Sequence, residues 1–143
     1  MNLRVEKRVG VQATSDRIWS LISDLGSWSR WNPVETAASG TIAFGASLSL
    51  TETIPGLPER AVVARVGDWQ PLAQLVWTEK RGFLSSSLRY YEIQELEPGN
   101  CILSNGFIFS GLRGETYFDK HKRALRLACE QVGEALKVAS EAT

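Results

Sequence analysis

The sequence is short of most residues that announce chemistry. It holds one histidine and two cysteines in 143 residues. Cys101 and Cys129 sit far apart, without metal-ligand spacing. That is too little for a zinc finger or a secreted disulfide scaffold, and it leaves two reduced, buried thiols as the simplest reading, with a single disulfide as the alternative. No glycine-rich strand–helix junction is available to cradle phosphates, so no nucleotide, metal or other cofactor is expected. Neither sign of charge is in excess: lysine plus arginine total 16, as do aspartate plus glutamate. A binder of nucleic acid or of membrane surfaces would need a basic surplus, so neither partner is expected. No apolar run approaches the length that spans a bilayer. The first residues, MNLRVEK, hold no apolar signal core, so a cytoplasmic location is expected by default. Repeats, low-complexity stretches and linkers are also missing, which reads as one domain over residues 1–143.

What is present is pattern. Over residues 2–11, Leu3, Val5, Val9 and Val11 share one face with Lys7, and Asn2, Arg4, Glu6 and Arg8 share the other. Period two predicts a strand with one buried face. Thr14 or Ser15 supplies an N-cap for a short helix with Asp16 in its first turn, and Ile18, Trp19, Leu21, Ile22 and Leu25 give its apolar side. Gly26 breaks it. Trp28 and Trp31 belong to a second helical turn stopped at Asn32-Pro33, because the residue before proline disfavours the α region. Between residues 34 and 111 the chain reads as strands and turns. Segments 61–69 and 72–80 flank Gln70-Pro71, and segments 85–96 and 101–110 flank Glu97-Pro98-Gly99-Asn100.

From about 115 to 142 there is no proline, and Phe118, Leu125, Val132 and Ala139 recur every seven residues. This predicts a long amphipathic helix with Lys120, Arg123, Arg126, Glu130, Glu134 and Lys137 mostly on its wet side. A sheet with one apolar face needs a cover, and this is the one long apolar helix. It covers about seven strands only if the sheet curls around it, which tends to leave a ligand-sized gap, sealed at one end by the short helices. The expected fold is therefore α+β: a curved antiparallel sheet around a long C-terminal helix, with two short helices after the first strand.

Several residues, in their order and spacing, resemble the START-related helix-grip superfamily (SRPBCC), and within it the polyketide cyclase/dehydratase-like branch. They are Ile18-Trp19, Trp31-Asn32-Pro33, Leu75-Val76-Trp77, Phe109-Ser110-Gly111 and Ala135-Leu136-Lys137. The likeness runs from about Leu3 to Glu141. It implies the helix-grip fold, in a superfamily that includes cyclases, lipid carriers and hormone receptors. One departure is the segment Gly111-Leu112-Arg113-Gly114-Glu115, more polar than that branch leads one to expect. No acid/base pair of a cyclase is recognisable.

Under this resemblance Arg89, Tyr91 and Ile93 on one strand, and Leu103, Asn105, Phe107 and Phe109 on the next, face the helix. Arg89 and Asn105 are then polar groups in an apolar lining, which must meet a partner. That partner is either a ligand carboxylate, phenolate or carbonyl, or, for Arg89, an internal Glu79 or Glu52. Trp69, Trp77, Tyr90 and Tyr91 are candidates to stack on a planar ligand or to serve as plain core. Trp28 and Trp31 are expected to seal one end. His121, three residues after Phe118, is either a proton donor or acceptor at the cavity mouth or a half-exposed structural histidine. The expected ligand site is thus Trp77, Arg89, Tyr91, Asn105, Phe107, Phe109 and His121. Three functions stay open. The leading one is binding of a small apolar or aromatic molecule between sheet and helix. The others are a cyclase/dehydratase-like enzyme, and a protein-interaction module, monomeric or homodimeric through the outer sheet face.

Overall fold

A computed structural model describes residues 3–142. The N-terminal alternation forms β1 (Arg4–Val11), with Val5 and Val11 buried and Arg4 and Arg8 exposed. Thr14 caps α1 (Ser15–Ser23), its Oγ1 accepting the Arg17 N–H at 3.1 Å. A 3₁₀ turn (Leu25–Ser27) leads into α2 (Trp28–Trp31), which Asn32-Pro33 ends. The strands β2 (Glu35–Gly40), β3 (Ser47–Glu52), β4 (Arg60–Gln70), β5 (Gln74–Gly82), β6 (Ser85–Glu97) and β7 (Asn100–Ser110) follow, and then α3 (Leu112–Glu141).

The strands form one antiparallel sheet in the order β1-β7-β6-β5-β4-β3-β2. Chain neighbours pair throughout, except that β1 closes onto β7. The sheet curls around α3, which lays Phe118, Leu125, Val132 and Leu136, each at most 1% exposed, into the concave face. Gly133 lets the helix come close: a Cβ there would stand 3.2 Å from Lys7 and 3.3 Å from the Asn105 amide. This is the expected helix-grip architecture.

The helix begins at Leu112 rather than near 115. Gly111, at φ +86°, turns the chain off β7, and the Leu84 carbonyl in the β5–β6 turn accepts the N–H groups of Arg113 and Gly114. Two backbone donors of the first turn are thus met by a neighbouring turn rather than by a side-chain cap, which is why no capping residue marks the start in the sequence. The polar segment 111–115 is simply the first helical turn.

Candidate functional site inside the grip

Period two along each strand sorts the concave face into tiers. At the end away from α1, one row runs Glu52 (β3), Arg60 (β4), Glu79 and Arg81 (β5), Ser87 (β6) and Phe109 (β7). The middle tier holds Trp77, Arg89, Tyr91, Asn105 and Phe107. Trp28 of α2 lies against that tier, its ring 5.8 Å from Trp77 and 5.2 Å from Tyr91. It is fully buried and donates Nε1–H to the Ile22 carbonyl at 3.0 Å.

Six of the seven expected site residues meet in this interior. Trp77, Arg89, Tyr91, Asn105, Phe107 and Phe109 are each at most 3% exposed, so side chains fill the space between them. The guanidinium of Arg89 is sandwiched between the rings of Tyr91 and Phe107, 4.6 Å from each centroid. Its partner is neither Glu79 nor Glu52 but Glu35. Nε and Nη2 donate to the two Glu35 carboxylate oxygens at 3.1 and 3.0 Å. Nη1 donates to the Gly106 and Tyr90 carbonyls, and Nη2 also reaches the Tyr91 hydroxyl. Five contacts for five N–H groups leave Arg89 no donor to spare.

The Tyr91 hydroxyl donates to Glu35 and receives the Asn32 amide at 3.1 Å. The Asn32 carbonyl oxygen takes the Val34 and Glu35 N–H groups, so the Asn32-Pro33 turn itself delivers Glu35 to the interior. Burial opposes the charge on Arg89, but the Glu35 and Tyr91 fields outweigh it and raise its pKa. Burial, and then Glu35, push the Tyr91 phenol well above its ordinary range. Burial also pushes the Cys129 thiol up to about 11. Asn105 donates its amide to the Cys129 carbonyl at 3.1 Å, while its own Oδ1 has no donor.

The end tier was not expected as a site. Arg60 binds Glu79 through two N–H groups, at 3.0 and 2.8 Å, and Glu52 at 3.1 Å. Burial works against its charge, and the bonds and fields of Glu79 and Glu52 prevail and raise its pKa. Arg81 is different. Its Nε donates to Ser87 Oγ at 2.8 Å, but Nη2 is buried without a hydrogen-bond acceptor, its nearest carboxylate being Glu52 at 3.6 Å. The guanidinium lies over Phe109 and Tyr117, 4.8 and 5.1 Å from their centroids. From there a ladder of rings leads outward. Phe107 to Phe109 is 6.0 Å, Phe109 to Tyr117 5.5 Å, and Tyr117 to His121 4.5 Å. Tyr117 and His121 are half-buried at the rim. Alternation along Leu75-Trp77-Glu79-Arg81 carries the signal that would have placed Arg81 inside.

These features define a helix-grip protein with an aromatic interior and buried ion pairs. No protein-family model matches the sequence, and no curated protein sequence is detectably similar. Solved structures are similar in fold. The di-domain ARO/CYC StfQ from the steffimycin biosynthetic pathway matches over 97% of this chain, with TM-score 0.76 and 10% identity. The chain spans about half of that protein, 50% of its length. Zhui aromatase/cyclase from Streptomyces sp. R1128 matches over 96% of this chain and 93% of its own, with TM-score 0.73 and 14% identity. The hypothetical protein jhp0584 from Helicobacter pylori matches over 96% and 88%, with TM-score 0.77 and 13% identity. The chain adopts the helix-grip fold seen in polyketide aromatase/cyclases.

Proposed function

We propose that the protein binds a small planar aromatic molecule between the sheet and α3, and that Arg81 is its polar anchor. The observation that carries this reading is the unmet Nη2 of Arg81. A buried donor left with no partner costs on the order of 1–3 kcal/mol; this one keeps only a long ion-pair contact to Glu52, at 3.6 Å, and stands in a wall of rings whose outer members, Tyr117 and His121, are half-buried. An arriving ring displaces Tyr117 from Phe109 and brings an oxygen to Arg81. Phe107 and Phe109 form the stacking wall, and His121 lies at the rim. Trp77, Arg89, Tyr91 and Asn105 form the floor beneath.

The chemistry of the oxygen follows from the belt around it. Arg60 and Arg81 balance Glu52 and Glu79, and Glu52 already lies 3.6 Å from Nη2. A carboxylate ligand would be repelled there, so the matching group is a neutral acceptor, a ketone above all. Binding is put before catalysis because Arg60, Arg89 and Tyr91 are engaged in ion pairs and hydrogen bonds with Glu35, Glu52 and Glu79, which leaves none of these groups free to act on a substrate. A cyclase-like activity is the second reading, favoured by the folds of StfQ and Zhui. His121, stacked on Tyr117, is the group within it suited to move a proton.

The test is calorimetric titration with 2-acetylnaphthalene and with 2-isopropylnaphthalene, which lacks the oxygen. Wild-type protein should favour the ketone by roughly tenfold or more, the worth of a hydrogen bond to a charged donor. Arg81→Met should erase that preference while leaving the hydrocarbon's affinity unchanged. A preference that survives the substitution rules Arg81 out as the anchor.

A further inference from the structure

A second concavity lies at the opposite end of the grip, between α1, the 3₁₀ turn, the end of β2 and β4. Its volume is about 650 Å³, a size suited to a small molecule. Trp19, Leu25, Ile42 and Trp69 give it apolar walls, and Thr41 and Asp24 lie among its polar groups. Trp69 is there because of a register shift. A bulge between Val66 and Trp69 in β4 returns the indole to the inner-face register, opposite Leu75 of β5. Without it, alternation from Val66 would send position 69 to the outer face.

Two features bear on what this cleft can hold. Its tryptophans are idle. Trp28 and Trp77 stack within the core, whereas Trp19 and Trp69 pair with no other ring and lie under no cation among the described residues. Its one charged residue is an exposed carboxylate. Among the described residues Asp24 makes no side-chain capping bond and no ion pair. It sits at the C-cap of α1, where the helix dipole is negative, and the last turn of α1 carries no basic residue to offset it. The same residue stands at the N-cap position of the 3₁₀ turn that follows, without a side-chain capping bond. Here it adds to the dipole and makes the cleft attractive to positive charge.

We infer that this cleft binds a small organic cation, of the aryl-ammonium or quaternary-ammonium class. The face of Trp69, with Trp19, receives the cation, and Asp24 supplies the countercharge. No basic residue lines the cleft to compete. The site is separate from the Arg81 anchor and does not depend on it.

The experiment is an NMR titration of the full chain with benzyltrimethylammonium and with neopentylbenzene, its uncharged isostere, following the tryptophan indole N–H resonances. The cation should shift Trp19 and Trp69 saturably and leave Trp28 and Trp77 in place, and the isostere should bind about fivefold more weakly. Asp24→Asn should weaken the cation by about fivefold and leave the isostere unchanged. Trp69→Leu should weaken the cation while the rest of the spectrum reports an intact fold. Arg81→Met should bind the cation as wild type does, so that failure of the Arg81 reading and failure of this one are told apart. Equal affinity for cation and isostere, shifts at Trp28 or Trp77 in place of Trp19 and Trp69, or an Asp24→Asn protein that binds the cation undiminished would each overturn the inference.

Discussion

Glu35, the first residue of the edge strand β2, and Arg89, in β6, are joined by two hydrogen bonds although β5, β4 and β3 lie between them in the sheet. On a flat sheet those two strands would stand about 19 Å apart. The pair therefore spans the concavity and holds the curl closed. Both partners are at most 2% exposed, so each depends on the other for compensation.

Glu35→Gln should accordingly lower the unfolding free energy by about 3 kcal/mol or more, because it strands a buried guanidinium. The double variant Glu35→Leu with Arg89→Met should lose less than either single variant. Urea unfolding of the wild type, Glu35→Gln, Glu35→Leu, Arg89→Met and the double variant decides it. Losses that simply add would mean that the two residues are not coupled.

Gly106 faces outward in β7, and the Tyr90 ring lies across it. A Cβ at this position would stand well inside contact distance of the Tyr90 hydroxyl and of the Val5 carbonyl. The ring can move, but the β1 backbone cannot without giving up its pairing with β7. Gly106→Ala should cost about 1–3 kcal/mol and speed hydrogen exchange in β1. A fully stable variant with unchanged β1 protection would show that the tyrosine yields freely.

Stability should fall in alkaline solution. The folded state holds the Cys129 thiol neutral up to about 11 and keeps the Tyr91 phenol neutral beyond its ordinary range. In the unfolded chain a thiol ionises near pH ~8.5 and a phenol near ~10. The folded state therefore binds more protons above that range. Its advantage is complete below about pH 8.5 and is lost as pH rises toward 11. Between pH 8 and 10.5 the thiol alone accounts for roughly 2 kcal/mol, and Cys129→Ala should remove that share of the slope. A urea midpoint that stays flat across this interval would contradict the burial of both groups.

The parts of the fold that follow a simple period were legible in the sequence. The alternation Leu3-Val5-Val9-Val11 marked the buried face of β1, and the heptad spacing of Phe118, Leu125 and Val132 marked the face of α3. Glu35 was not legible. It precedes a bulge in β2, where Ala37 takes φ +51° and register shifts between Thr36 and Ser39, so that no alternation is left to read. Its distance from Arg89 in the sequence also gives no hint that the curl brings the two together. Arg81 was legible in principle from Leu75-Trp77-Glu79. Lys80 beside it and the turn at Gly82 make the segment look like a solvated strand end. The lack of an acceptor at Nη2 is a property of packing that no local pattern carries.

The ring ladder beneath α3 is expected to open and admit an aromatic ketone whose oxygen meets Arg81. A crystal structure of the protein with 2-acetylnaphthalene tests it most directly. The naphthalene should lie between Phe109 and a displaced Tyr117, with the ketone oxygen about 3 Å from Arg81 Nη2. A complex in which Tyr117 still stacks on Phe109 and the ligand lies elsewhere on the protein would contradict it.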